Sequence, residues 1–374
     1  MPLLSLWNTM MMNPCAMPLP DINRSRWSGW RINALDAVSK LLLILVTAAL
    51  MLTSHAQAQA EENRSCIGKN LLADLQSKDP KAFATIASEA AKTPNGQAVF
   101  WKIEKPGIKP SYLLGTMHVT DPRVLTMPQG AQQAASRADT IIVESDEVLD
   151  DKKAAIALMA KPELSMFTDG STISSRLTPE QVSELEAGLK KRGLALSAVN
   201  RMKPWIIASF VALPACELAR KAEGTSFLDK RIAQDAANAG KRVVGLETYA
   251  EQLAALNDLP IDFHLTSLIE TLKLGDTMND VNETMIDLYL KGDIGAIIPM
   301  LQAVSPDPLS SKDPGYAAFE QRIIVDRNRV MATRAAPTLA QGNAFMAVGA
   351  LHLPGNDGLV ALLRHQGFTL TAMP

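Results

Sequence analysis

The chain has 374 residues, 47% of them hydrophobic and 20% charged, with a net charge of −2 and a pI near 6.2. At roughly 100–200 residues per domain this length fits two units or one large one, and the composition supports a buried core rather than disorder. The acidic balance excludes a basic nucleic-acid binder. Three cysteines exclude a disulfide-dense scaffold or a four-cysteine zinc site.

The first 60 residues differ from the rest. Arg24, Arg26, Arg31 and Lys40 precede the apolar run Leu41 to Met51, and the sequence then exits through Ala56-Gln-Ala58-Gln-Ala60. A basic flank, a short apolar stretch and small residues at alternate positions describe a secretory signal, with cleavage expected after Ala60 or Ala58. The apolar run is short of the roughly 20 residues that span a bilayer. An uncleaved anchor is the competing reading, and a start at Met10 or Met17 leaves the expectation of export unchanged. No later segment reaches spanning length, so no stable membrane anchor is expected after cleavage. Removing residues 1–60 leaves 33 basic and 37 acidic residues, four histidines and two cysteines. In an oxidising compartment, periplasmic or extracellular, Cys66 and Cys216 read as one disulfide; two separate thiols are the alternative.

In chain order, residues 61–95 read as helical. Gly96 to Lys102 and Ser111 to His118 read as strands joined by a hairpin-like Lys105-Pro-Gly-Ile-Lys-Pro turn. Pro128 opens a helix running to Ala138, and Thr140 to Glu144 is a short buried strand. The middle, 151–339, is mainly helical. Thr178-Pro179 caps one helix, Lys203-Pro-Trp205 opens a helix that contains Cys216, and Phe227 to Gly240 is another. Arg242 to Leu246 is a strand ending at Glu247, and helices follow over 249–300. Residues 305–315 form a loop, and Phe319 to Leu339 a long helix. The chain closes with a strand over Asn343 to Leu351, a helix over Leu359 to Gln366 capped by Gly367, and a strand over Phe368 to Ala372. The fold class is therefore α/β with extensive helix. Residues 61–374 form one domain of two α/β halves, roughly 96–150 and 340–374.

One internal echo carries the chemistry. Gly115-Thr-Met-His118 ends an apolar strand before a loop, helix and strand, and Gly349-Ala-Leu-His352 does the same. The halves are expected to bring these strand ends together, where α/β folds place their sites. A lone strand-end histidine is ordinarily bonded to a carbonyl; the matched pair gives the functional reading its weight. Glu144 and Glu247 each follow an apolar strand, against the alternative of a solvated turn cluster with Asp146 and Glu147. Two histidines and two carboxylates suit a divalent transition metal, which activates water and polarises a carbonyl, with a carboxylate as general base. Arg327 and Asn328 lie on a helix, and the arginine fork can bind a carboxylate or an oxyanion or simply face solvent. His264 and His365 read as structural, and Trp205 as core packing. No nucleophile elbow, HExxH, Walker A loop, GxGxxG or CxxC is present.

Tyr112-Leu-Leu-Gly-Thr-Met-His118, Ile142-Val-Glu144, Lys203-Pro-Trp205, Gly245-Leu-Glu-Thr248, Glu251-Gln252-Leu253, Asp326-Arg-Asn328 and Val348-Gly-Ala-Leu-His352-Leu-Pro-Gly355 together resemble the TraB/PrgY/GumN family, which includes the Tiki metalloproteases. The resemblance covers about residues 66–374. It implies a fold related to the EreA/ChaN group and a metal-dependent hydrolase using manganese, cobalt or zinc on a peptide or protein substrate. By position it assigns His118, Glu144 and His352 to the metal, and Glu247 and Arg327 to further active-site positions. Ser226-Phe-Leu-Asp229 departs from the family's G-x-D pattern. The competing readings are a peptide- or haem-binding protein without turnover and an esterase-type hydrolase.

Overall fold

The computed structural model describes Cys66, 68–305 and 314–374. The expected leader and its cleavage site lie outside these residues, as do positions 306–313 of the expected loop. Cys66–Pro374 form one structural unit.

Six short strands build one mixed sheet in the order β4-β3-β5-β2-β1-β6. They are β1 (Phe100–Glu104), β2 (Ser111–Thr116), β3 (Thr140–Val143), β4 (Arg242–Gly245), β5 (Ala344–Gly349) and β6 (Thr369–Ala372). β4, β3, β5 and β2 run parallel. β1 is antiparallel to both β2 and β6. The two GxxH strands are thus direct neighbours, with Gly115 opposite Val348 and Thr116 opposite Gly349. The expected half-sheets are parts of a single sheet: β5 inserts between β2 and β3, although more than 200 residues separate it from either.

The central strands are buried on both faces, as parallel strands usually are. Alternate side chains serve opposite layers because the strand period is two. Leu113, Ile142, Met346 and Val348 join the core that contains Met331 and Ala335 of the helix Asp326–Leu339 and Leu359 and Leu363 of the helix Leu359–His365. Leu114, Ile141, Val143, Phe345 and Ala347 join the opposite core, with Ala131 and Ala134 of the helix Gln129–Arg137 and Leu228 and Ile232 of the helix Leu228–Asn238. A third core is wholly helical: Leu185 and Leu189 pack with Ile207, Val211, Leu265 and Leu268. The domain is a sheet between helices, extended by a helical middle.

Several boundaries differ from the sequence reading for identifiable reasons. β1 begins four residues later than expected, because residues 94–97 form a turn. The helical stretch before it breaks at Asp79, whose side chain accepts from Ala82 N–H while Pro80 takes the first helical position. Pro214 likewise splits the segment expected to run from Lys203 through Cys216 into Pro204–Val211 and Ala215–Ala222. Pro128 caps rather than opens its helix. Residues Glu320–Val325 form a π-helical turn leading into Asp326–Leu339, within what reads as one long helix. Thr178 caps its helix as expected, in a reciprocal capping box with Gln181. No helix among the described residues is long and apolar enough to cross a membrane.

Candidate functional site at the parallel strand ends

Four parallel strands deliver four of the five candidate residues to one edge of the sheet. His118 stands two residues after β2, Glu144 directly after β3, Glu247 two after β4 and His352 three after β5. The glycines of both GxxH motifs sit where the chain packs closely. A Cβ on Gly115 would lie 3.0 Å from Ala350 Cα, and one on Gly349 would lie 3.0 Å from Glu144 Oε1. The spacing thus reflects both a crowded strand end and the histidine beyond it.

Arg327, from the first turn of its helix, is half of the site's frame. Its Nη2 donates to Glu144 Oε2 and to Glu247 Oε2, both at 2.8 Å. Its Nε contacts both Glu247 oxygens at 3.2 and 3.1 Å. The guanidinium is only 15% exposed and the two carboxylates 11% and 4%. Burial opposes its charge, but Glu247 and Glu144 outweigh that and raise its pKa. Arg327 therefore does not face solvent; it ties the ends of β3 and β4 together.

Glu144 is saturated with donors. Besides Arg327, Gly349 N–H donates to Oε1 at 2.7 Å and Gln252 Nε2 to Oε2 at 3.2 Å. Burial favours its protonated form, yet His352, His118, Arg327 and the Gly349 N–H together hold its pKa well below the ordinary carboxylate range.

His352 is buried, with Nε2 3.9 Å from Glu144 Oε1. Its Nδ1 lies 2.7 Å from Oδ1 of Asn328, which is fully buried and donates through Nδ2 to the Asp357 carbonyl at 2.8 Å. That second bond aims the amide oxygen at the ring, so His352 carries its proton on Nδ1 and presents the Nε2 lone pair toward Glu144. Burial pushes its pKa down to about 4, helped by Arg327 and His118 and opposed by Glu144.

His118 is different. Its side chain is 56% exposed, and Nε2 lies 3.7 Å from Asp229 Oδ2. Desolvation by the surrounding protein acts against its charge, but Asp229 and more weakly Glu144 outweigh it and raise its pKa to about 9. Asp229 is buried; Oδ1 accepts from Thr116 Oγ1 at 2.6 Å, while Oδ2 has no hydrogen-bond partner. The loop after His118 is pinned from the other side. Buried Glu217 accepts from Thr120 N–H and Oγ1, both at 2.7 Å, and from Arg220, which also contacts Cys66 Sγ at 3.1 Å. Cys66 and Cys216 are disulfide-bonded, as expected, with Cα atoms 5.5 Å apart.

Asp229 and Gln252 are the site residues that the motif reading did not assign. Asp229 stands at the start of a helix, a position where an acidic residue is explained by the helix dipole alone. The sequence marks it only as part of a departure from the family's G-x-D pattern; its contact with His118 gives it a place in the site. His264 is structural as expected: its Nε2 bonds the Leu256 carbonyl at 2.9 Å. His365 ends the helix Leu359–His365.

The donor types suit a divalent metal. His352 offers an open ring nitrogen, and Asp229 offers a buried carboxylate oxygen that has no hydrogen bond and lies 3.7 Å from His118 Nε2. Among the described residues, however, no three histidine, cysteine or carboxylate side chains are already gathered around one point. Glu144 is at present committed to Arg327, Gly349 and Gln252.

The zebrafish (Danio rerio) protein named metalloprotease TIKI1 is 26% identical over 318 residues, covering 73% of this chain and 63% of its own length. The zebrafish metalloprotease TIKI2 is 24% identical over 320 residues, covering 73% and 60%. This chain therefore spans less than two thirds of those relatives. The uncharacterized protein YbaP of Shigella flexneri is 27% identical over 263 residues, covering 70% of this chain and 90% of its own. No solved structure matches significantly. The profile of the TraB/PrgY/gumN family matches residues 99–372, from the start of the sheet to its last strand, and the chain belongs to that family.

Proposed function

We propose that this chain is an exported, metal-dependent hydrolase that cleaves peptide bonds. The observation that carries the reading is the contact of Asn328 Oδ1 with His352 Nδ1 at 2.7 Å, which leaves Nε2 open. A buried neutral imidazole, locked by Asn328 and offering Nε2 at the mouth of a parallel sheet, is built to ligate rather than to pack. The neighbouring strand supplies His118, and the relatives named metalloproteases support a metal cofactor. His118, His352 and Glu144 would hold manganese, cobalt or zinc. The ion would supply an activated water and polarise the scissile carbonyl.

The other residues act through these three. Arg327 keeps Glu144 ionised and oriented. Glu247, with both oxygens on Arg327, holds the guanidinium in place. Asp229 fixes the His118 ring from behind. The basic flank, apolar run and Ala-rich exit of residues 24–60 support export to the periplasm or beyond. Incubation of the purified chain with a peptide library, with and without manganese, cobalt or zinc, tests the proposal. Metal-dependent cleavage supports it. Tight metal or peptide binding without turnover would favour a sequestering protein instead, and cleavage confined to esters would favour an esterase.

A further inference from the structure

Asp229 Oδ2 is a buried acceptor at the strand ends without a hydrogen bond, on a residue only 4% exposed. Buried carboxylate oxygens are rarely left so, because nothing then offsets the loss of their hydration. The helix dipole favours an acidic residue at this position, the second of the helix Leu228–Asn238. It does not explain the oxygen, since Oδ2 caps no N–H of that helix.

The carboxylate is held firmly in place. Oδ1 accepts from Thr116 Oγ1 at 2.6 Å, and Thr116 closes β2 two residues before His118. Leu228 and Ile232 bury the helix against one face of the sheet. From the layer on the other face, the Tyr289 hydroxyl donates to the Gly115 carbonyl at 2.9 Å and pins the same strand end. The Phe227 ring centre lies 5.2 Å from that of His118, so Phe227 and Asp229 both restrain the imidazole.

The gap between Asp229 Oδ2 and His118 Nε2 is 3.7 Å. A direct N–H···O bond closes to roughly 2.7–3.2 Å. Two ligands each about 2.1 Å from one ion stand roughly 3.4 Å apart in a tetrahedral site. The observed spacing is nearer to the second. Charge points the same way. With both imidazoles neutral, Glu144, Glu247 and Asp229 are three buried carboxylates. Arg327 neutralises one charge, and half-buried Lys221, which donates to the His118 carbonyl at 3.3 Å, offsets another. The surplus is negative and attracts a cation.

We propose that Asp229 is itself a metal ligand, sharing the divalent ion of the strand-end site with His118 Nε2; this rests on the metal-dependent reading of that site. In the metal-free chain the carboxylate restrains the ring, and in the loaded chain Oδ2 binds the ion. It adds an anionic donor that Glu144, bonded to Arg327, Gly349 and Gln252, supplies only in part.

Cobalt titration of the full-length chain, followed by calorimetry and by absorption, tests it. The native chain binds cobalt saturably, and His118→Ala loses it. Asp229→Asn keeps the size of the side chain and the acceptor for Thr116. It weakens cobalt by more than the about 10–100-fold expected of a residue that only orients a ligand. Asp229→Cys shows a sulfur-to-cobalt charge-transfer band that the native chain, which also carries Cys15, lacks; an orienting residue cannot produce that band. Circular dichroism checks that the metal-free variants keep the native fold. A loss no greater than that range in Asp229→Asn, or cobalt bound by Asp229→Cys without the band, would overturn the role of Asp229 and leave the metal site standing. No cobalt binding by the native chain would overturn both.

Discussion

Asn328 Oδ1 lies 2.7 Å from His352 Nδ1, and the same amide donates to the Asp357 carbonyl. One fully buried side chain thus determines which nitrogen of a strand-end histidine is left open. Asn328→Ala removes that choice. Metal affinity or hydrolytic rate is expected to fall about 10–100-fold, the usual effect of losing a histidine's outer partner. Nitrogen NMR of the ring reports the tautomer directly: Nδ1–H in the native chain and a mixture in the variant.

The two site histidines respond to pH in opposite directions. His118 is raised from 6.5 to about 9, so the stability it contributes is fully present below 6.5 and lost as pH rises through 9. His352 is depressed to about 4, so its contribution is present above 6.5 and lost as pH falls through 4. NMR titration of the metal-free protein is expected to show the His118 ring still charged at neutral pH and the His352 ring neutral. The His118 ring is more than half exposed and solvent screens Asp229, so the upward direction is the firm expectation. Asp229→Asn is expected to lower the His118 pKa and leave that of His352 nearly unchanged.

The strand ends were legible because their signals are local. An apolar run that stops at glycine and histidine, or at glutamate, identifies a buried strand and what emerges from it. His118, Glu144, Glu247 and His352 could all be placed this way. The order of the strands that bring them together could not. Ile141-Ile142-Val143 and Phe345-Met346-Ala347 are buried on both faces, so their composition records burial and not neighbour, and the insertion of β5 between β2 and β3 left no trace in the pattern. Arg327 was ambiguous for a related reason. A DRNR helix turn reads as solvated until the carboxylates that neutralise it arrive from two other strands. The role of Asp229 was not legible because a helix start explains an acidic residue without any partner.

Arg327 is the joint between β3 and β4. Arg327→Met would leave Glu144 and Glu247 buried, charged and without their common counter-ion. Loss of one partner of a buried ion pair costs about 3–5 kcal/mol. Urea unfolding is expected to show a loss of that order, and Glu247→Gln in the same background is expected to restore part of it by removing one of the stranded charges. An unchanged midpoint in Arg327→Met would show that the guanidinium does not bear on the strand ends.

The disulfide reaches the site through side chains. Cys66 touches Arg220, Arg220 bonds Glu217, and Glu217 holds Thr120, two residues beyond His118. Reduction is expected to destabilise the chain by about 2–4 kcal/mol, the usual range for a bridge closing a long loop. It is also expected to quicken amide exchange at Thr120. Thiol titration of the denatured, non-reduced full chain is expected to count one reactive cysteine, Cys15; three would contradict the bridge.

The central claim is that His118 and His352 act as a pair on a metal. Its most direct measurement is metal-dependent peptide cleavage by the native chain and by the His118→Ala, His352→Ala double variant, with folding of both checked by circular dichroism. Both metal binding and cleavage are expected to be lost in the double variant. Unchanged cleavage in that variant, or its failure in the native chain with manganese, cobalt and zinc alike, would contradict the account.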